Sequence, residues 1–247
     1  MTGLVLAAAV GTWCKREVAV NIEVWSDVVC PWCYIGKRRL ESALEQFEHR
    51  DDVTVTWRSF ELDPSTPKTL DQPLDELLAR KYGTTVQQAR QMQKRVEDAA
   101  AEEGITMRFD IARTGNTFDA HRVIHHAREA GRDADVKERL LQAYFTQGRP
   151  ISDPDTLADI AGEAGLDRDA VRAMLDTDAH ADAVREEERK AHGYGAGGVP
   201  FFVIDERYGV SGAQPSETLL KVMRTVHADS APEVADADAC DDDGCAI

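Results

Sequence analysis

The chain lacks any apolar run long enough to cross a membrane. The run Gly3-Leu4-Val5-Leu6-Ala7-Ala8-Ala9-Val10 is far short of the roughly 20 residues a spanning helix needs. No Lys or Arg precedes it and Lys15-Arg16 follow it, the reverse of a secretory leader. Residues 1–18 therefore read as an N-terminal extension, and the expected compartment is cytoplasmic, with no membrane partner. Positive charge is also scarce. The 247 residues hold 29 Lys and Arg against 45 Asp and Glu, a formal net charge of −16, and Arg far outnumbers Lys. Such a surface repels phosphate backbones and argues against nucleic acid as a partner. It suits a salt-rich cytosol, where screening weakens self-repulsion. Cysteine is sparse as well. Five in this length do not make a disulfide framework. Four of them fall into two short-spaced pairs, Cys30/Cys33 and Cys240/Cys245, and Cys14 is left over. Short-spaced pairs point to redox chemistry.

The first pair has an informative context. Val20-Asn21-Ile22-Glu23-Val24-Trp25 reads as a strand, and Tyr34-Ile35-Gly36-Lys37-Arg38-Arg39-Leu40 onward has apolar residues at helical spacing. Cys30-Pro31-Trp32-Cys33 thus sits where a strand passes to a helix N-terminus. Free N–H groups and the positive end of the helix dipole favour a thiolate there. A second thiol one turn on can resolve a mixed disulfide. Pro31 suits the first turn of a helix. A zinc site would need two more ligands at comparable spacing, and Cys240 and Cys245 lie over two hundred residues away in an acidic tail. No metal and no bound cofactor are expected, because the dithiol is itself the redox group. Asp27 stands three residues before Cys30, either as proton acceptor for Cys33 or as a cap for the loop's N–H groups.

A second strand is expected over 53–58 by its alternation. Helices are expected over 74–82, 85–103, 117–130, 135–147, 155–165, 167–175 and 177–192, several opened by Asp or Thr and closed by Gly. Gly197-Gly198-Val199-Pro200 then leads into Phe201-Phe202-Val203-Ile204, a proline-led strand in which a cis Val199–Pro200 bond is expected. A hairpin and a last helix over 215–226 follow. The final residues are rich in Ala and Asp.

In that order, Trp25 to Gly36, Asn116-Thr117-Phe118-Asp119-Ala120-His121-Arg122, Gly198 to Phe202 and Gly212-Ala213-Gln214-Pro215 resemble the DsbA family of thiol–disulfide oxidoreductases, its FrnE-like branch in particular. The resemblance spans roughly residues 20–226. It implies an α/β thioredoxin-like fold with a helical domain inserted after the second strand. The implied organisation is a discontinuous thioredoxin-like domain, 19–66 and 193–228, a helical insertion, 67–192, and an acidic tail, 229–247. It implies Cys30 as nucleophile, Cys33 as resolving thiol, and Pro200 opposite the cysteine pair. Val199 is expected to offer its backbone to an extended substrate. Trp32, Asn116 and His121 are the other residues expected near substrate, although Asn116 also reads as a helix cap. His125 and His126 read as ordinary helix residues. Cys240 and Cys245 resemble a CxxxxC pair of FrnE-like proteins and read as an auxiliary redox pair, with a metal-binding or inert tail as the other reading.

The expected partners are proteins bearing thiols or disulfides, with a low-molecular-weight thiol as a further candidate. Two other functions stay open. One is a small-molecule enzyme with a thiol cosubstrate, as in kappa-class glutathione transferases and hydroxychromene-carboxylate isomerases, which carry serine where this chain has Cys30. The other is a binding module whose cysteines are incidental.

Overall fold

The computed structural model describes residues 19–70 and 72–230. Cys14, Cys240, Cys245 and the N-terminal extension expected at 1–18 lie outside them. In chain order the elements are β1 (Val20–Ser26), α1 (Pro31–Glu45), β2 (Val53–Ser59), α2 (Leu74–Lys81), α3 (Val86–Glu102), α4 (Phe118–Arg128), α5 (Asp133–Phe145), α6 (Pro154–Glu163), α7 (Arg168–Leu175), α8 (Ala181–Gly193), β3 (Phe201–Ile204), β4 (Tyr208–Ser211) and α9 (Ser216–Ser230). The four strands form one sheet ordered β2-β1-β3-β4. β1 and β2 run parallel, with Val20 beside Val53 and Ser26 beside Ser59. β3 joins β1 antiparallel, with Trp25 beside Phe201, and β4 returns antiparallel to β3. This is a thioredoxin-like α/β fold with a helical segment inserted after its second strand.

Alternation along β1 explains the layering. Val20, Ile22 and Val24 face a core shared with Leu40 and Ala43 of α1 and Leu219, Met223 and Val226 of α9. Trp25 points the other way and packs with Phe201, Val203 and Ala191 of α8. Every β1 residue but Asn21 is buried, although Asn21, Glu23 and Ser26 are polar. Glu23, on the α8 side, is held by Arg58 at 2.7 Å and Lys190 at 2.8 Å.

The third core lies among the inserted helices and includes Val123, Leu140, Leu141, Phe145, Ile151 and Leu157. Val28, Tyr34 and Ile35, which flank the cysteine pair, belong to the same cluster. The insert is therefore packed directly against the start of α1. The helix expected from residue 177 begins only at Ala181. The intervening turn carries His180 at φ 64°, and Arg122 binds the carbonyls of Thr177 and Ala179 within it.

Candidate active site

The strand-to-helix junction places the two cysteines. Cys30 is the N-cap residue of α1, with extended backbone at φ −89° and ψ 113°, and Pro31 opens the first turn. Cys33 follows one turn on, its N–H donating to the Cys30 carbonyl at 3.0 Å. The loop before β3 closes over this end of the helix. Its Val199–Pro200 bond is cis, and the Cys30 thiol donates to the Val199 carbonyl at 3.5 Å. That approach depends on Gly36. A β-carbon there would meet Pro200 Cγ at 3.0 Å and Phe202 Cζ at 3.5 Å. Gly36→Ala is expected to push the proline loop off α1, cost about 1–3 kcal/mol as an overpacked core does, and slow disulfide exchange. Chemical denaturation and turnover measured on one preparation check both.

Cys30 is 4% exposed and Cys33 2%, while Trp32 between them is 42% exposed. The Val199–Pro200 loop covers the sulfur that a helix N-terminus alone would leave open. Trp32 is the side chain this motif presents to solvent.

Burial pushes the Cys33 thiol well above its ordinary value, and the hydrogen bond and charge of Cys30 push the same way. The Lys137 charge and the Asp27 main chain act in the opposite direction. Cys33 is thereby kept as a thiol.

Behind the cysteines lies a buried polar group that the sequence only partly revealed. Burial would raise the Asp27 carboxyl. The attraction of His121, the Leu62 N–H at 2.8 Å and the Lys137 charge outweigh it and hold the group below the usual carboxylate range. His121 Nε2 lies 3.4 Å from Asp27 Oδ1. Asp27 Oδ1 and both His121 ring nitrogens are buried with no hydrogen-bond partner. His121 is 1% exposed. The expectation that it touches substrate is therefore corrected: it faces Asp27 from below, because α4 packs its Ala120–Ile124 face into the core. Lys137, also 1% exposed, donates from Nζ to the Ser26 carbonyl at 3.1 Å. Its burial lowers its basicity, against the pull of Cys33, Asp27 and Cys30. Nothing in the sequence near Lys137 separates it from a surface lysine.

Asn116 serves as a cap, one residue earlier than the helix boundary suggests. The backbone N-cap is Thr117, and Asn116 Oδ1 accepts from the Phe118 N–H at 2.9 Å. Its amide donates to Glu61 Oε1 at 3.2 Å, so it also steadies the strand exit that carries Leu62 to Asp27. His125 is buried against Ser59 Oγ at 3.2 Å and Glu187 Oε2 at 3.0 Å.

The pattern described as a DSBA-like thioredoxin domain matches residues 21–224. The chain belongs to this DsbA-like family. Within the family it is a thiol–disulfide oxidoreductase by class. It is similar to a probable DsbA oxidoreductase from Streptomyces coelicolor, with 44% identity, a TM-score of 0.83, and 92% of this chain and 99% of that one covered. It is also 30% identical to YwbO of Bacillus subtilis strain 168, an uncharacterized protein, over 76% of this chain and 88% of that one. The cytosolic disulfide reductase DsbM from Pseudomonas aeruginosa, solved with GSH, shares the fold at 18% identity and a TM-score of 0.54, over 83% and 99% of the two chains. In this DsbA-like chain, Cys30 and Cys33 occupy the strand–helix junction and Pro200 stands across from them. No helix among the described residues is long and apolar enough to cross a membrane.

Proposed function

We propose that the chain is a protein dithiol–disulfide oxidoreductase, of the FrnE-like branch, working in the cytoplasm. The observation that carries this reading is the split between the two thiols: Cys30 at the helix N-cap against the Val199 carbonyl, and Cys33 buried and held protonated behind it. In the oxidising direction a substrate thiolate attacks Cys30 Sγ. The Cys30–Cys33 bond breaks and its electron pair leaves on Cys33, which takes up a proton because burial disfavours its charge. A second substrate thiolate then attacks the substrate sulfur of the mixed disulfide and releases Cys30 as thiolate. In the reducing direction Cys30 thiolate attacks a substrate disulfide. Cys33 Sγ then attacks Cys30 Sγ, the Cys30–substrate bond breaks, and the Cys33 proton goes to the departing substrate thiolate.

Trp32 supplies an exposed apolar face for a protein substrate, and the Val199–Pro200 backbone lies beside the reacting sulfur. A low-molecular-weight thiol is the proposed companion that resets the pair, in keeping with the glutathione bound to DsbM. Cys240 and Cys245 keep their proposed place as an auxiliary pair.

The deciding experiment uses Cys33→Ser, which can form a mixed disulfide but cannot resolve it. Mixed with reduced unfolded protein and glutathione disulfide, it is expected to accumulate a protein adduct on Cys30, read by mass spectrometry. Accumulation of the glutathione adduct alone would assign the enzyme to small-molecule thiols instead.

A further inference from the structure

Away from the cysteines, three groups converge on the outer side of the insert. His126, Glu129 and His180 each present a ligand atom, and these atoms all lie within 4.8 Å of one another. We propose that they form a binding site for a divalent transition-metal ion of the zinc class, which ties the end of α4 to the start of α8.

The site is built from two pieces of chain. His126 and Glu129 are three residues apart at the C-terminal end of α4, so both project from one side of it. His180 is the N-cap residue of α8 and comes from the turn after α7. Its Nε2 lies 3.8 Å from Glu129 Oε1, and its ring centroid lies 5.6 Å from that of His126. Zinc takes imidazole nitrogen at about 2.0–2.1 Å and carboxylate oxygen at about 2.0–2.2 Å. Ligand atoms around it are then roughly 3.3 Å apart, so the existing spacing needs only small rotations. Glu129 has that freedom, its side chain being 67% exposed.

The turn bearing His180 is held in place from α4 itself. Arg122 donates to the carbonyls of Met174, Thr177 and Ala179 and is paired with Asp119 at 2.8 Å. The guanidinium is occupied by these contacts. His180 adopts a left-handed backbone at φ 64°, a conformation that histidine, like asparagine, enters more readily than most residues. It is this conformation, together with the Arg122 clamp, that puts the imidazole beside α4. His125 is not a candidate ligand, because its Nε2 is committed to Glu187 and Ser59.

The donor set fixes the ligand class. Two imidazoles and one carboxylate suit Zn2+, Co2+, Ni2+ or Cu2+. A single carboxylate without further oxygens does not suit Ca2+ or Mg2+. Three protein ligands leave at least one position for water. The simpler account of the cluster is a His180–Glu129 ion pair with His126 adjacent by accident, and that account needs no metal.

The test is calorimetric titration of Zn2+ into the oxidised, untagged full chain, so that cysteine thiolates do not compete. Wild type is compared with His126→Gln, with His180→Asn, and with the double variant Cys240→Ser/Cys245→Ser. Asn tolerates the left-handed backbone at 180, so that variant is expected to fold. One equivalent of Zn2+ is expected to bind wild type and the cysteine variant equally. Each histidine variant is expected to bind at least about tenfold more weakly, and Zn2+ is expected to raise the melting temperature of wild type but not of the histidine variants. Absence of binding overturns the proposal. So does binding that survives both histidine substitutions, or that disappears with Cys240 and Cys245.

Discussion

Cys30→Ser is expected to abolish catalysed disulfide exchange, lowering turnover by on the order of 10³-fold or more. The serine hydroxyl is not ionised near neutral pH, so no nucleophile remains at the position that faces the Val199 carbonyl. Cys33 cannot take over, being 2% exposed and held as a thiol by burial. The substitution is nearly isosteric, so folding should be preserved, and far-ultraviolet circular dichroism together with insulin reduction checks the two effects separately. Retained activity in Cys30→Ser, combined with loss in Cys33→Ser, would reverse the roles given to the two thiols.

Glu187→Gln is expected to be the most damaging substitution for stability. Glu187 sits on α8 yet is buried, and its carboxylate accepts from the Ser59 N–H at 2.6 Å, Arg58 at 2.8 Å, and Arg128 and His125 at 3.0 Å. Its main-chain carbonyl also accepts from the Trp25 indole at 2.8 Å. One side chain therefore joins β2, α4 and α8. Neutralising it removes the anion shared by two arginines, leaving Arg58 with Glu23 at 2.7 Å and Arg128 with Asp133 at 3.8 Å. Removing one partner of a buried pair costs about 3–5 kcal/mol. The partial exposure of Arg58 and Arg128 places this case near the lower end, a loss of roughly 6–12 °C in melting temperature for a chain of this size.

The effect should depend on pH in a definite direction. Burial would raise the Glu187 carboxyl, but His125, Arg58 and Arg128 hold it far below the usual carboxylate range. Its folded-state value is lower than its unfolded one, so its contribution is complete above about pH 4.3 and is lost as pH falls through the folded value. Asp27, also held low, has the same sign. The melting temperatures of wild type and Glu187→Gln should differ most near neutral pH and draw together below about pH 4. A difference that is constant from pH 7 to pH 3 would show that packing rather than charge is at stake.

Glu187 and Lys137 also mark where reading the sequence stops working. The strand before Cys30, the helix after it and the proline-led strand at Phe201 were legible because each rests on local signals: alternation, a proline at the first turn, a glycine pair before a proline. Most inserted helices were legible from Asp or Thr at one end and Gly at the other. Burial of a charged residue is a property of contacts distant in the chain. Arg185-Glu186-Glu187-Glu188-Arg189-Lys190 reads as a solvated helix face, and only the arrival of β2 and α4 shows that Glu187 is enclosed. His121 was legible as part of the site but not as a group lying beneath it. Nor was the cover over Cys30, which comes from a loop almost 170 residues further on.

The sheet order has a consequence for biosynthesis. β1 and β2 are separated by a single helix, so they can pair soon after leaving the ribosome. The other edge of β1 waits for β3, and Trp25 meets Phe201 only after all seven inserted helices have been made. During that interval the β1 backbone from Ile22 to Trp25 is an unpaired strand edge of the kind that recruits foreign strands. Long loops close slowly, but an insert that has already condensed on Tyr34 and Ile35 brings its far end back to the sheet. The helical insert thus acts as a tether for the nascent chain: whatever lets it collapse early shortens the time for which β1 is exposed to aggregation.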